Sequence, residues 1–337
     1  MDALLGLLRG VGAALALAVA AHAADPAPPI PVRFSLIATE DSPRGHAAAR
    51  FKEVAERLTH GRVHVEIYPD SSLYVAHDEL EALQLGAVEV ACANLHAFSA
   101  LGLSDFEAFE LPYLFASYDA VHRVTDGPVG AALLSRLREK GIEGLAYWDV
   151  GFKQWSSKRP VRVPRDIQGL AIRTTFSRVS DAELRAVRAV PQSTAYPDIR
   201  PSLISGALDG TELTLPFLAR AGLDDVQRFI TLSHHAYLGS ALVVNRRFWE
   251  RLPADVRMAL AQAAADATVL ANDETRREEA AAEAELRQRG RTQLLTLDSA
   301  EIALWKQAFL PVHREIGKRM APGTLDAMYR AAGFKPQ

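Results

Sequence analysis

The chain has 337 residues, of which 49% are hydrophobic and 23% are charged, and this balance excludes a disordered or low-complexity protein. Its 38 Lys and Arg residues against 41 Asp and Glu residues give a net charge of -3, which argues against nucleic-acid binding through overall charge. The single cysteine, Cys92, excludes an internal disulfide and a metal site built on paired cysteines.

The first 24 residues have the three-part pattern of a secretory signal peptide. Arg9 precedes an apolar stretch over residues 10–21, and small residues follow up to Ala24. We therefore predict that residues 1–24 direct export, most simply to a bacterial periplasm; a retained membrane anchor is the alternative. Residues 25–31 contain four prolines and are predicted to form an extended tether.

From Val32 onward, short β-like runs alternate with amphipathic helical patterns, which predicts an α/β protein with mostly parallel strands. A length near twice that of an ordinary domain predicts two domains. In the first of them we predict strands at 32–37, 63–68, 88–93 and 142–148, and helices from Pro43 to Gly61, at 76–85 and at 128–140.

The second unit begins after a polar passage with two prolines at residues 156–169. We predict strands at 170–174, 207–213, 226–232 and 238–244, and helices at 177–187 and 198–205. An almost unbroken helical pattern from Pro253 to Arg289 would be about 54 Å long. Because this length exceeds the diameter of one domain, the helix is expected to lie across both. We predict domain I at 32–150 plus about 239–270 and domain II at 151–238 plus about 271–337, with the ligand site in the cleft between them.

Motifs for catalysis are missing from the sequence. It has no Gly-x-Ser-x-Gly elbow, no phosphate-binding loop, no Gly-x-Gly-x-x-Gly after a strand and no His-Glu-x-x-His. His234 and His235 are neighbours on a predicted strand, so their side chains point to opposite faces and are not expected to ligate one ion. We therefore predict no enzyme, no cofactor and no metal site.

Three cations stand near the ends of predicted strands: Lys153, Arg173 and Arg200. An arginine fork matches a carboxylate with two parallel charge-assisted hydrogen bonds, which a lysine cannot reproduce. Arg173 lies in an apolar strand, where a buried charge needs a partner. The sequence therefore predicts a local anion site with Arg173 as its anchor.

A series of short motifs carries a family resemblance. They occupy residues 79–89 (ELEALQLGAVE), 110–115 (ELPYLF), 144–148 (GLAYW), 157–161 (SKRPV), 166–170 (DIQGL), 172–173 (IR), 206–212 (GALDGTE), 235–237 (HAY) and 248–249 (FW). In order and spacing, from about Val32 to Leu310, the chain resembles the DctP-type solute-binding proteins of TRAP transporters, the tripartite ATP-independent periplasmic carriers of organic acids.

The resemblance implies a two-domain binding protein that closes on an organic acid and delivers it to a membrane complex of a small and a large subunit. The family arginine that holds the ligand carboxylate corresponds to Arg173. Three positions depart from the family pattern: a second arginine is Lys153, an asparagine is Leu213, and a tyrosine is Arg200. Leu213 favours a ligand with an apolar body, because burying an unpaired hydroxyl costs roughly 1–3 kcal/mol.

The ligand is left open between a small dicarboxylate and an aromatic or branched 2-oxo or 2-hydroxy acid. Further residues predicted at the site are Phe152, Tyr196, Glu212, His235, Tyr237 and Glu79. Two other functions are left open: a sensor subunit that presents its acid to a membrane receptor, and a periplasmic enzyme acting on such an acid. A homodimer through the long helix is also left open.

Overall fold

The structure is a computed structural model that describes residues 28–76, 78–174 and 176–336. The predicted signal peptide, residues 1–24, lies outside the described residues, as do the first three residues of the predicted tether. Within the described residues, none of the helices is both long enough and apolar enough to cross a bilayer.

The described residues form a central sheet and the helices that cover it. The strands are β1 (Ile30–Ser35), β2 (Val63–Tyr68), β3 (Val90–Asn94), β4 (Ile142–Ser157), β5 (Ala171–Thr174), β6 (Val190–Ser193), β7 (Gly210–Thr214), β8 (Phe229–Asn245) and β9 (Gln293–Thr296). The α-helices are α1 (Pro43–Leu58), α2 (Glu79–Leu85), α3 (Tyr118–Thr125), α4 (Pro128–Arg136), α5 (Arg178–Ala186), α6 (Ile199–Ser205), α7 (Leu215–Arg220), α8 (Arg246–Arg251), α9 (Ala254–Arg289), α10 (Ser299–Gly317) and α11 (Thr324–Ala332).

Two long strands run through both halves of the sheet. The strand order is β2-β1-β3-β8-β4-β7-β5-β6, and β9 also pairs with β8. β4 and β8 have 16 and 17 residues and pair antiparallel from Ile142 opposite Asn245 to Ser157 opposite Phe229. β3 pairs with the end of β8, whereas β7 pairs with the end of β4. The first half of the sheet therefore holds β1 to β3, the second half holds β5 to β7, and β4 and β8 connect them.

The strand directions locate the cleft. β3 runs antiparallel to β8 and therefore toward the second half, and β1 runs parallel to β3. β7 runs antiparallel to β4 and therefore toward the first half, and β5 runs parallel to β7. The C-terminal ends of these four strands consequently face the gap between the two halves, which is where ligands bind in open α/β sheets.

The long helix α9 lies across both halves, as the sequence predicts. Its N-terminal part, including Leu260 and Ala267, belongs to the core formed with α1 on the first half. Its C-terminal part, including Ala282 and Leu286, belongs to the core formed with α6 and α7 on the second half. The i,i+4 ion pairs Glu283–Arg287 and Glu285–Arg289 lie on its exposed side, at 2.7 and 2.6 Å. The predicted fold class, an α/β protein with a helix crossing both halves, is confirmed.

The observed elements differ from the prediction in their boundaries and in their number. The predicted strand 142–148 continues to Ser157, and the two predicted strands 226–232 and 238–244 are the single strand β8. Polar residues beyond position 148 hid the continuity of β4, but Lys153 and Ser156 pair with β7 on one side and with β8 on the other. β1 begins at Ile30, inside the predicted tether. The elements that were not predicted are β6, β9, α3, α7, α8, α10 and α11. The domain ranges remain a prediction.

Gly151 occupies a constrained position where β4 passes between the halves. Its φ is +131°, and a Cβ added there would lie 2.5 Å from Glu279 Oε1. Glu279 cannot easily move away, because its Oε1 accepts a hydrogen bond from the Phe152 N–H at 2.8 Å and its other oxygen accepts one from the Tyr118 hydroxyl. The Glu279 side chain therefore attaches α9 to β4. Gly151 lies directly beside it, where a larger residue would collide with the Glu279 carboxylate.

We predict that Gly151→Ala lowers the free energy of unfolding by about 2–4 kcal/mol, because backbone strain and overpacking add. Gly290→Ala is the matched control: Gly290 has a φ of +63° but open space around its Cβ position, so only strain of about 1 kcal/mol is expected. Urea unfolding of both variants measures the difference, and equal losses would contradict the close contact with Glu279.

Candidate ligand-binding site

Strand alternation divides the predicted site residues between two faces of the sheet. Arg173 is paired in register with Thr211, and Leu213 lies two residues further along β7, so Arg173 and Leu213 share one face. Glu212 lies between Thr211 and Leu213 and points to the other face, as does Trp155, which is opposite Glu212 on β4. Lys153 is two residues from Trp155 and shares its face.

Arg173 is a buried cation without an acidic partner. The residue is 5% exposed, and its Nε donates to the Thr194 carbonyl oxygen at 3.0 Å. Among the described residues, no carboxylate lies within 4.0 Å of its guanidinium. Burial lowers the pKa of Arg173 to about 10, although Glu212 and Tyr196 oppose the shift. Arg173 is therefore charged at neutral pH and able to bind an anion.

The surroundings of Arg173 are partly apolar. Leu213 is buried in the core formed by α6, α7 and the C-terminal part of α9. Tyr196 is half exposed, packs edge-on against Phe217 at 5.6 Å between ring centroids, and donates a long hydrogen bond of 3.4 Å to the Phe217 carbonyl. An acid bound to Arg173 would therefore meet aliphatic and aromatic surface on this side.

Lys153 lies in a different environment, a buried charge network on the opposite face. Its Nζ is 3.4 Å from Glu212 Oε1 and 3.7 Å from Glu110 Oε2, and it donates to Ser180 Oγ at 2.9 Å. Burial lowers the pKa of Lys153, but Glu110 and Glu212 outweigh burial and raise it above its ordinary value. His235 joins the network with Nε2 at 3.5 Å from Glu212 Oε2. The charge of Lys153 is thus already balanced within the protein.

The pKa values of Glu110 and Glu183, two acids of this network, are shifted in opposite directions. Burial raises the pKa of Glu110, but the charges of Lys153 and His96 overcome it and hold the pKa well below its usual range. Glu183 has two buried carboxyl oxygens that receive no hydrogen bond from any residue the structure describes. Burial, together with the charge of Glu212, raises the pKa of Glu183 well above its ordinary value. The neutral form of Glu183 is therefore favoured, whereas Glu110 is held in its ionised form.

Three members of this network have metal-ligand chemistry. One ligand atom each from Glu183, Glu212 and His235 lies within 4.8 Å of the others. The ammonium group of Lys153 is already 3.4 Å from Glu212, so a cation occupies part of this cluster. A dication would have to bind beside a charged lysine, which opposes its binding.

The remaining predicted residues lie in three separate places. Phe152 and Tyr237 pack together at 5.8 Å where the halves join, and the Tyr237 hydroxyl donates to Asp149 Oδ1 at 2.7 Å. Glu79 begins α2 in the first half, where its Oε1 accepts from Ser35 Oγ at 2.9 Å and burial raises its pKa to about 8.

Arg200 is half exposed and pairs with Asp225 at 3.2 Å. The structure thus gives no support to a role of Arg200 in the cleft.

One residue at the cleft was missed by the sequence analysis. Arg44, in the first turn of α1, is buried at 6% exposure and donates from Nη1 to Asn94 Oδ1 at 3.3 Å. Asn94 ends β3, so Arg44 lies at the strand ends of the first half. One sequence feature could have indicated Arg44: it directly follows the proline that begins the first helix, just beyond the first strand.

A cavity of about 510 Å³ lies outside this site, between α4 and α9. Its lining includes His122, Asn272 and Arg276. None of the predicted site residues lines this cavity, and it therefore does not coincide with Arg173.

Comparisons with known proteins define the class. Residues 34–319 match the family model DctP, described as bacterial extracellular solute-binding protein, family 7. The chain is 43% identical to the C4-dicarboxylate-binding periplasmic protein DctP of Rhodobacter capsulatus over 329 residues, which cover 97% of this chain and 98% of that protein. The chain therefore belongs to the DctP family of solute-binding proteins, and the predicted family membership is confirmed.

Solved structures agree with this assignment. A TRAP periplasmic solute-binding protein from Shewanella oneidensis with bound succinate has a TM-score of 0.85 and 31% identity, covering 90% of this chain and 99% of that one. The sugar acid-binding protein DctPAm from Advenella mimigardefordensis, in complex with galactonate, has a TM-score of 0.85 and 25% identity, covering 90% and 98%. These neighbours share the two-domain fold, which confirms the predicted architecture.

We predict that Lys153→Met lowers the free energy of unfolding by about 3–5 kcal/mol, because two buried carboxylates lose their cation. Urea unfolding at pH 7 measures the loss. A change below about 1 kcal/mol would contradict the charge balance described for Lys153.

Glu183→Gln is the matched control for this network, since it replaces a neutral acid with a neutral amide. We expect its stability to stay within about 1 kcal/mol of wild type at pH 5. Above the ordinary pKa of 4.5, the unfolded chain ionises Glu183 more readily than the folded protein does, so this group destabilises the fold as the pH rises toward its raised pKa. The variant should therefore gain stability relative to wild type as the pH is raised from 5.

Proposed function

We propose that this protein is the periplasmic solute-binding component of a TRAP transporter and that it binds an organic acid through Arg173. The observation that carries the proposal is the burial of Arg173, without a carboxylate partner among the described residues, at strand ends that face the gap between the halves. A buried unpaired charge is costly, and a ligand carboxylate would supply the missing partner through two parallel hydrogen bonds.

The binding mechanism follows from the connection between the halves. β4 and β8 have register shifts between Asp149 and Gly151 and between Lys153 and Trp155, near the passage from one half to the other. Such irregularities are where strands bend. The acid docks on Arg173, the halves rotate about these strands, and the closed state is favoured by the additional contacts that the ligand makes with the first half.

The names of the relatives support an acid as ligand. The Rhodobacter relative is named for C4-dicarboxylates, the Shewanella structure holds succinate, and the Advenella structure holds galactonate. A carboxylate is common to these ligands, which fits an arginine anchor. The same names support location in the periplasm and delivery to membrane subunits of a TRAP transporter, and we infer that one subunit is small and one large from the family resemblance alone.

We predict that Arg173→Gln weakens binding of the acid by about 100-fold or more, because charge-assisted hydrogen bonds to the carboxylate are lost. Isothermal titration calorimetry measures the effect on the exported protein after unfolding and refolding, which remove any carried-over ligand. The acids tested are succinate, L-malate, galactonate, butyrate and an aromatic 2-oxo acid.

Two controls accompany this variant. Arg178→Gln changes an exposed arginine at the start of α5 and should bind as wild type does. Arg200→Gln should also bind as wild type does, because Arg200 pairs with Asp225. Unchanged binding by Arg173→Gln would show that the anchor is elsewhere, and no binding of any acid by wild type would refute the proposed function.

We predict that Leu213→Asn reduces the preference for succinate over L-malate by about tenfold, because an amide can pair with the malate hydroxyl that Leu213 leaves unsatisfied. The ratio of the two dissociation constants, measured by calorimetry, tests this. Leu213→Met keeps the apolar surface and should keep the wild-type ratio. A wild-type preference for L-malate would contradict the role given to Leu213.

A further inference from the structure

The bending segment of β4 is hydrogen-bonded to a helix as well as to strands. Its register with β8 shifts between Asp149 and Gly151, and such a shift leaves backbone groups without partners in the sheet. Two side chains of α9 bind backbone groups on either side of it. Asn272 accepts from the Asp149 N–H at 2.9 Å, and Glu279 accepts from the Phe152 N–H at 2.8 Å. Asn272 and Glu279 are two helical turns apart, so one face of α9 holds this segment.

Glu279 connects the two halves at this segment. One of its oxygens accepts from the Phe152 N–H, and the other accepts from the Tyr118 hydroxyl. Tyr118 begins α3, which packs on α4, and α4 packs on the first-half part of β4 at Gly144. Phe152 lies beyond the register shift, directly before the part of β4 that pairs with β7 in the second half. The carboxylate therefore joins a side chain of the first half to the backbone that leads into the second.

A carboxylate is costly at this position. Burial, together with the charge of Asp149, raises the pKa of Glu279 to about 7, although the hydrogen bonds from Tyr118 and Phe152 oppose the shift. No described cation contributes to this shift. Asn272 shows that a neutral amide is sufficient to attach α9 to β4. A carboxylate differs from an amide because it offers two charged acceptor atoms to two donors at once, which strengthens both hydrogen bonds.

The described conformation covers the gap between the halves. Arg173 of the second half and Arg44 of the first half lie at strand ends that face this gap, yet they are only 5% and 6% exposed. An acid that approaches from solvent therefore reaches Arg173 only after the halves move apart. The two hydrogen bonds of Glu279 consequently belong to a closed arrangement of the halves.

We propose that Glu279 stabilises the closed arrangement by joining Tyr118 to Phe152, and that it thereby sets the affinity for the acid from outside the ligand site. This inference rests on the proposed function and concerns its closure step. Opening moves the first half, with Tyr118, away from the second, so the hydroxyl exchanges Glu279 for water. Because only the closed arrangement keeps this hydrogen bond, its loss shifts the population toward the open one. Glu279 is thus a positioning residue that acts through the hinge.

The variant Tyr118→Phe tests the inference, because it removes the contact with the first half and leaves the Phe152 hydrogen bond in place. The ligand is the tightest-binding of the five acids named above, measured by calorimetry at pH 8 on the exported and refolded protein. We expect the dissociation constant to rise about tenfold. The ligand-free protein should also be open more often. Fluorescence energy transfer between labels at Arg57→Cys on α1 and Ser205→Cys on α6, both exposed positions, measures this while Cys92 stays buried.

Tyr147→Phe is the matched control for a lost hydroxyl. The Tyr147 hydroxyl is buried and donates to the Gly130 carbonyl at 2.9 Å, and both residues lie in the first half. This variant should lose stability in urea but keep the wild-type dissociation constant and energy transfer. Glu279→Ala removes both hydrogen bonds and should weaken binding at least as much as Tyr118→Phe. Glu279→Gln offers an acceptor to Phe152 and a donor to Tyr118, so it should recover a large part of the affinity that Glu279→Ala loses.

Each outcome decides between the proposals. If Tyr118→Phe loses stability but binds and closes as wild type does, Glu279 has a purely structural role and the inference is wrong, while the role of Arg173 stands. Tighter binding by Tyr118→Phe would also overturn it, since the hydrogen bond would then hold the open arrangement. The same is true if Tyr147→Phe weakens binding equally. If wild type binds no acid, the proposed function fails, and the energy transfer of the ligand-free variants still tests the role of Glu279.

Discussion

The pairing of β4 with β8 is the constraint on which the rest of this structure depends. Because both strands run through both halves, the halves cannot separate, and any relative movement must bend the same two strands. The pairing also directs the ends of β1, β3, β5 and β7 to one gap. α9 reinforces the connection, since Asn272 and Glu279 accept hydrogen bonds from the backbone N–H groups of Asp149 and Phe152 at 2.9 and 2.8 Å.

The buried charges of this protein fall into two groups. One group is balanced by neighbouring residues, and the other has no balancing charge among the described residues. Lys153 lies among carboxylates on one face of the sheet, and this network joins β4 to β7 and to the 3₁₀ helix ending at Glu110. Such a network is satisfied without a ligand, and its members need each other to remain buried. Arg173 lies on the other face without an acidic partner among the described residues. We therefore propose that this positive charge, which no described residue balances, binds an anion at the edge of the cleft.

Local sequence patterns predicted much of the fold. The features that were missed depend on contacts between residues far apart in the chain, which local patterns do not show. Pro43 marked the start of α1, and the alternation around Val63 marked β2, because helix-start signals and periodicity act over a few residues. The continuity of β4 was hidden because Lys153, Gln154 and Ser156 are polar but buried by distant neighbours. Arg173 was predicted from its apolar strand and the family resemblance. Arg44 contacts Asn94, 50 residues further along the chain, and no local pattern encodes that contact.

The central claim is that Arg173 holds the carboxylate of a bound acid in the cleft between the halves. A crystal structure of the protein with its best-binding acid tests this claim most directly. The account predicts both oxygens of one ligand carboxylate at about 2.7–2.9 Å from the guanidinium nitrogens of Arg173, with the halves closed over the ligand. A carboxylate bound at Lys153, or in the cavity between α4 and α9, with Arg173 left without an anion, would contradict it.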